Sequence, residues 1–539
     1  MNPTPTRLAA AALCSAAMLL PVASVATAQP TNPARHADRP APDALHLGAD
    51  GLTESRTTTT LQRGVTHTLI ARGSDDDSLR WVVEVNMPAV QAGHDPDTPL
   101  RSIQDEPSAR AMQARLAQNG FAARVERVDQ PRVADLPAAV LGYRVRLVEQ
   151  PTTKAEADAL VAALKAKGFA SRSWYTGWDG GTAARGPWRI HVLTIDPRTF
   201  RGTLGATYGP TLEAREKVTE LSSFTRAKAI INAGFFVMDP TAGAEGDPAG
   251  AAVYDGRLVS ETIRNRPVLV LDRDARRTRV ALPTWRGSAT LAGQQVRLDG
   301  INRVIGLIRN CGGDATDSPT SLPLHDVTCK DSSEAVAYTP AFGPRTPSGP
   351  GAEVVLFRGR VVAVNAQRGT VLGRGQTSIQ LTGDLARRAE GVRVGQRAEV
   401  GQQLTENGRS LARRGTTVVN GGPELLRHGR IHITQRRDGM AQADNPSFAY
   451  GWVLQRNPRT FAGVDARGRT VLVTVDGRQT TDLGLSIPET AQLAKDLGLR
   501  EAINLDGGGS TAMALDGRLV TSPSDATGER PVGDAIFVR

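Results

Sequence analysis

From about residue 186 to the end, the chain is a succession of short apolar runs broken by glycine, proline and Asp-Gly pairs, the pattern of many short strands. Trp188–Ile195 alternates as a strand, and Val253–Val259 folds into a hairpin around Asp255-Gly256. Pro267 opens a further hairpin, Val268–Leu271 with Thr278–Leu282. Helical period is scarce here; Leu212–Leu221 and Pro488–Leu497 carry it.

Residues 79–176 read differently. Leu116-x-x-x-Gly120-Phe121-Ala122-x-Arg124 recurs 48 positions later as Leu164-x-x-x-Gly168-Phe169-Ala170-x-Arg172. In the second copy Ala157, Leu160, Val161 and Leu164 share one helix face, Thr153 and Glu156 form a capping box, and Gly168 suits the helix end. Arg80–Asn86 and Tyr143–Val148 are the strands before the helices. Two such units make a four-stranded layer with both helices on one face. The expected fold class is therefore α+β: a strand-rich mixed α/β catalytic domain over 186–539, preceded by a small ferredoxin-like βαββαβ domain over 79–176.

Arg7, the apolar run Leu8–Leu20 and Ala26-Thr27-Ala28 have the order of a secretory signal peptide, residues 1–28. The run is too short to cross a bilayer, and no later stretch predicts a transmembrane segment. Residues 29–76, rich in Pro, Ala, Thr and Asp, read as a leader or linker with a strand near Thr66–Ile70. In an exported protein the two remaining cysteines, Cys311 and Cys329, predict one disulfide.

Composition changes little. With 40% apolar and 22% charged residues, the 539-residue chain is neither fibrous nor wholly disordered. Its net charge is +10, but only seven basic residues are Lys, and the arginines are spread without aromatic interleaving. That pattern argues against a nucleic-acid partner and leaves anionic glycans or phosphodiesters in view.

Candidate chemistry gathers in strand-end motifs. The sharpest is Asn504-Leu505-Asp506-Gly507-Gly508-Gly509-Ser510-Thr511, where glycines admit a close ligand and backbone amides can hold an anion. No Lys follows, so it is no Walker loop. Ala502–Leu505 reads as a buried strand and Thr511–Leu515 as its return. Around it stand Asn457-Pro-Arg459-Thr460, Asp476-Gly-Arg478, Pro523-Ser-Asp525 and Gly528-Glu-Arg530-Pro-Val532, with Asn232-Ala-Gly-Phe-Phe236 and Asn420-Gly-Gly-Pro423 upstream. Arg459, Arg478 and Arg530 offer forks for phosphate. Glycosidic cleavage asks for two carboxyl groups, and Asp506, Asp476 and Glu489 are the candidates, with helix capping the competing role for Glu489. The histidines fall outside this cluster: His428 and His432 read as part of a hairpin, and no Gly-x-Ser-x-Gly elbow is present. A Ca²⁺ or Mg²⁺ site lined by carboxylates stays open.

In this order the motifs resemble the phosphodiester glycosidase family, over roughly residues 190–539 and best from 457 onward. The resemblance implies one cleft formed by Asn232, Asn420, Arg459, Thr460, Asp476, Arg478, Glu489, Asn504, Asp506, Gly507, Gly508, Ser510 and Arg530. It implies hydrolysis of a sugar-1-phosphodiester at the anomeric carbon–oxygen bond. The duplicated segment resembles the SPOR domain, which implies peptidoglycan or another cell-wall glycan as partner and a sugar-phosphate polymer as substrate. Two other readings stay open: a non-catalytic envelope glycan-binding protein, and a metal-dependent phosphodiesterase.

Overall fold

The computed structural model describes residues 44–87, 99–181, 183–264, 266–313 and 322–539; the expected signal peptide lies outside the described residues. The backbone of the larger part is an eight-stranded sheet. Its order is Glu54–Gln62, Val65–Arg72, Trp188–Ile195, Thr470–Val475, Arg459–Asp465, Leu499–Asn504, Glu424–Arg427 and Arg430–Ile431, with every neighbouring pair antiparallel. The six residues of Thr470–Val475 are all buried, because both faces of the sheet are covered. On one face lies the helix Ile487–Asp496, whose Ala491 and Leu493 pack with Val471, Val473 and Phe461. On the other lie two five-stranded sheets, whose Ile231, Val419, Met513 and Ile536 pack with Leu193, Ala462 and Leu472. Burial on both sides is what an apolar run such as Val471-Leu-Val473 requires.

Several expectations are corrected. The leader drawn to residue 76 instead supplies, from residue 54, an edge strand of the large sheet and the strand next to it, with Val65 and Ile70 buried. The Thr57–Thr60 run that looked like a linker forms the exposed outer strand, a place that β-branched residues favour. The helix expected over 212–221 runs over Val218–Thr225. Its first half is taken by loop pairing, with Leu212 and Glu213 bonded to Ala341 and Phe342 and Glu216 bridged to Val532. Met513–Leu515 does not return beside Leu499–Asn504 but pairs with Ala229–Asn232, so the glycine loop crosses from the large sheet to a smaller one.

Residues 284–410 add a four-stranded and a five-stranded sheet with a core of their own, including Leu298, Val354, Ile379 and Leu381. Beside it Cys311 and Cys329 are joined in the expected disulfide.

The duplicated segment runs Trp81–Asn86, helix Glu106–Gln118, Ala123–Gln130, Ala139–Leu147, helix Lys154–Ala166 and Ala170–Tyr175. Its antiparallel sheet has the order Ala123–Gln130, Ala139–Leu147, Trp81–Asn86, Ala170–Tyr175. Ala109, Leu116, Ala157 and Leu164 seal the helices onto Val83, Val85 and Val145, and Thr153 with Glu156 forms the capping box. The opposite sheet face is closed. There Glu84 and Arg146, both fully buried, pair with each other, and Glu84 accepts the Tyr450 hydroxyl at 2.8 Å. Asp179 joins the cluster through Arg144 and Arg146.

Candidate active site

The middle strand Arg459–Asp465 sets the geometry. Arg459 pairs with Val475 on one side and Phe461 with Asn504 on the other, so the turns carrying Asp476 and Asp506 leave the sheet at the same rim. Asn457-Pro458 lies between them. The Gly508 amide donates to the Pro458 carbonyl at 3.0 Å, and Arg478 Nε donates to Asn457 Oδ1 at 3.0 Å. A Cβ added to Gly477 would stand 2.7 Å from Pro458 N, which is why that turn needs glycine.

The glycine loop is held by its backbone. Asp506 N donates to Ala233 O at 2.9 Å, and Asn232 Nδ2 donates to Asp506 O at 2.7 Å. Asn232 Oδ1 in turn accepts from Thr460 Oγ1 and the Ala512 amide. These anchors leave the half-buried Asp506 carboxylate at the loop's surface, accepting the Gly507 amide at 2.9 Å. Arg530, 6% exposed, lies over Gly509 and forks onto Asp525 at 2.7 and 2.9 Å.

Unspent hydrogen-bonding capacity concentrates at this corner. Asn504 Oδ1 and the hydroxyls of Ser510, Thr511 and Ser524 are buried with no hydrogen-bond partner. Buried polar atoms are normally satisfied, so four orphans around one loop mark a place built for a polar ligand or ordered water. Donors and acceptors together suit sugar hydroxyls.

Other expected residues do different work. Asn420 clamps the Phe235 amide and carbonyl, both at 3.0 Å, and Asn504 Nδ2 holds Gly422 O and Leu505 O. Arg459 is buried and donates to the carbonyls of Leu485, Trp452 and Gln455. Burial, with Arg478 nearby, brings its pKa down to about 9. That engagement removes it from the phosphate-binding set. Glu489, expected among the catalytic carboxylates, caps its helix with Ser486 and pairs with Arg456 at 2.5 Å, so its carboxylate is engaged in the scaffold.

Asp476 is buried. Its Oδ1 accepts the Ser522 amide at 3.1 Å, and its Oδ2 has no hydrogen-bond partner, with Arg189 at 3.8 Å and His191 at 3.9 Å. The structure thus brings to Asp476 a histidine that the sequence left outside the cluster. His191 bonds His67 at 3.1 Å, and burial lowers the His67 pKa to about 4. Asp482 shares Arg189, and its carboxyl is pushed up to about 6 by burial, with Asp476 adding to the shift.

Asp534, one of the carboxylates that the sequence places near these motifs, was given no role there. It accepts Gly234 N at 2.7 Å and the Tyr254 hydroxyl at 2.8 Å, and burial raises its pKa to about 6. Its partners lie some 300 and 280 residues away in the chain, so only the fold carries it to Gly234 and Tyr254. Among the described residues, no group of three or more His, Cys, Asp or Glu is disposed to hold a metal ion.

A family model described as phosphodiester glycosidase matches residues 351–539. The N-acetylglucosamine-1-phosphodiester alpha-N-acetylglucosaminidase of Bos taurus is 34% identical over 109 residues, 20% of this chain and 20% of that one. The Homo sapiens protein of the same name is 33% identical over 109 residues, 20% of this chain and 21% of that one. The alignments thus span about a fifth of the length of these curated relatives. A solved structure from Burkholderia pseudomallei, named "Putative exported protein", is 33% identical with a TM-score of 0.79, covering 92% of this chain and 98% of that one. The matched stretch, residues 351–539, carries Asp476, the glycine loop and Arg530, and is similar to the phosphodiester glycosidase family.

Proposed function

We propose that this chain is an exported hydrolase that cleaves the glycosidic bond of a sugar-1-phosphodiester, of the N-acetylglucosamine-1-phosphodiester kind. Water adds to the anomeric carbon, the carbon–oxygen bond to the phosphodiester breaks, and a phosphomonoester leaves with its oxygen. Phosphate is a good leaving group, so the protein's tasks are to neutralise it and to steer water. Asp506 meets the sugar, Arg530 and Arg478 face the phosphate, and Asp476 is the second carboxylate behind the rim. The supporting observation is the half-buried Asp506 carboxylate set among the orphaned polar atoms of Asn504, Ser510, Thr511 and Ser524. Export rests on the amino-terminal pattern of residues 1–28 and on the name of the Burkholderia relative.

Hydrolysis in ¹⁸O water tests the bond assignment. Label in the released sugar supports it; label in the phosphate points to a phosphodiesterase, and binding without turnover to a glycan-binding protein.

Association with cell-wall glycan through the 79–176 segment, read as a SPOR-like domain, is the second part of the proposal. The sheet face of that segment is occupied by Glu84, Arg146 and Tyr450, so glycan contact falls to its helical face or its rim. Full chain that fails to sediment with purified peptidoglycan would remove this part alone.

A further inference from the structure

One face of the large sheet carries a buried line of polar side chains across three neighbouring strands. His67 lies in Val65–Arg72, His191 in Trp188–Ile195 and Thr474 in Thr470–Val475, with Asp476 just past the end of the last. Thr474 is the register partner of His191, and Asp476 follows two residues later, so these side chains share a face. The rings of His67 and His191 stack with centroids 5.3 Å apart, and Nε2 of the first lies 3.1 Å from Nδ1 of the second. None of the four residues is more than 9% exposed.

Hydrogen bonding along this line is unfinished. His191 Nε2, Asp476 Oδ2 and Thr474 Oγ1 are buried and have no hydrogen-bond partner among the described residues. The same holds for Oδ2 of Asp482, whose neighbour Arg189 also flanks Asp476. Nε2 of His191 and Oδ2 of Asp476 stand 3.9 Å apart, longer than a hydrogen bond. Such contacts are often loose in a free enzyme and tighten when substrate is bound.

The neighbours decide which nitrogen of His191 carries hydrogen. A carboxylate oxygen only accepts, so a bare imidazole nitrogen beside it would set lone pair against lone pair in a buried place. Hydrogen on Nε2 removes that repulsion and leaves Nδ1 as acceptor for His67 Nε2–H. Burial, with His191 adding to the effect, lowers the His67 pKa to about 4, so at neutral pH His67 is uncharged and has one N–H to give.

We propose that His191 is a positioning residue that acts through Asp476: its Nε2–H is the donor that holds Oδ2 of this carboxylate, while the Ser522 amide holds Oδ1 and His67 sets the tautomer. The inference deepens the proposed hydrolysis and rests on it for the role of Asp476 as second carboxylate. The first arm of the test needs no substrate. It is ¹⁵N-histidine NMR of the full chain at pH 7, with His191→Phe identifying the His191 signals among the eight histidines. Nε2 is expected to be protonated, and its resonance to move in Asp476→Asn. An unprotonated Nε2, or a signal indifferent to Asp476→Asn, would overturn the proposal.

The second arm is sugar release from the nitrophenyl ester of N-acetylglucosamine 1-phosphate. His191→Phe keeps a ring against His67 and loses the donor. Its kcat is expected to fall about 10- to 100-fold, the weight of one hydrogen bond to a charged group, with KM nearly unchanged. His191→Gln, whose amide reaches the place of Nε2, should recover most of this loss. His191→Asn, whose amide reaches only the place of Nδ1, should not. Equal impairment in His191→Phe and His191→Gln, or a loss confined to KM, reduces His191 to packing and sinks the positioning role. Failure of the hydrolysis reading looks different: the unaltered chain releases no sugar, and the NMR arm alone decides whether His191 serves Asp476.

Discussion

Gly509 makes room for Arg530: a Cβ on that glycine would stand 2.0 Å from a guanidinium nitrogen of Arg530 and 2.4 Å from Asp525. The glycine run thus serves the approach of a buried cation as well as the turn itself. Gly509→Ala is expected to displace the Arg530–Asp525 fork and to lower kcat/KM at least 100-fold. The fold should lose only about 1–3 kcal/mol, the usual range for overpacking. Steady-state kinetics beside urea unfolding checks both halves; an active Gly509→Ala enzyme would dismiss Arg530 from the site.

Asp506 and Asn232 separate chemistry from scaffolding. The loop is anchored through the Asp506 backbone, so Asp506→Asn should leave the unfolding midpoint unchanged while lowering kcat by 10²–10⁴, the range of a lost acid–base group. Asn232→Ala should do the reverse at first. It strands the Thr460 hydroxyl, the Ala512 amide and the Asp506 carbonyl, and about 2–4 kcal/mol of stability should go with them. Kinetic loss in Asn232→Ala that follows its unfolding would mark Asn232 as a support. Loss in the fully folded protein would mark it as a substrate contact.

The same contrast explains what could be read from the chain alone. Strand and hairpin signals are local, so Trp188–Ile195, the Asp255-Gly256 turn and the Thr153–Glu156 capping box were legible as written. The rim was legible in part, because Asp506 and Asp476 follow apolar strands directly. Partnership was not. Arg459 looks like a phosphate ligand until Leu485, 26 residues after it, and Trp452, 7 residues before it, supply carbonyls. His191 reaches Asp476 only because Trp188–Ile195 lies beside Thr470–Val475. The 511–515 return crossed to another sheet, a choice made by packing against Ala229–Asn232.

Asp534 gives a pH dependence of definite sign. Burial pushes its carboxyl up to about 6, with the bonds from Tyr254 and Gly234 pulling the other way. Between its unfolded value near 4 and about 6 the folded chain holds a proton that the unfolded chain has lost. Its contribution to stability is therefore present below pH 4 and declines as pH rises through that window. Asp534→Asn should flatten this slope while keeping the acceptor for Gly234. Urea unfolding from pH 4 to 7 gives the comparison, and identical slopes in the two proteins would contradict the assignment.

Glu84 should act with the opposite sign. Burial alone would raise its pKa, but Arg172, Arg146 and Arg144 outweigh it and hold the carboxyl well below the usual carboxylate range. The stability it contributes is thus complete above about pH 4.5 and is lost as pH falls. Its carboxylate takes Arg146 at 3.0 Å, Arg172 at 2.6 Å and the Tyr450 hydroxyl at 2.8 Å, tying the duplicated segment to the large sheet's side of the molecule. Glu84→Gln keeps the shape and leaves Arg146 buried beside fewer negative charges, a change that typically costs about 3–5 kcal/mol. Tyr450→Phe removes one hydroxyl and should cost about 1–2 kcal/mol. If the two segments fold as one unit through this cluster, both variants shift a single unfolding transition read by tryptophan fluorescence and by circular dichroism. Two separated transitions in Glu84→Gln, with the later one at the wild-type midpoint, would show instead that the duplicated segment is a passenger on an independently stable enzyme.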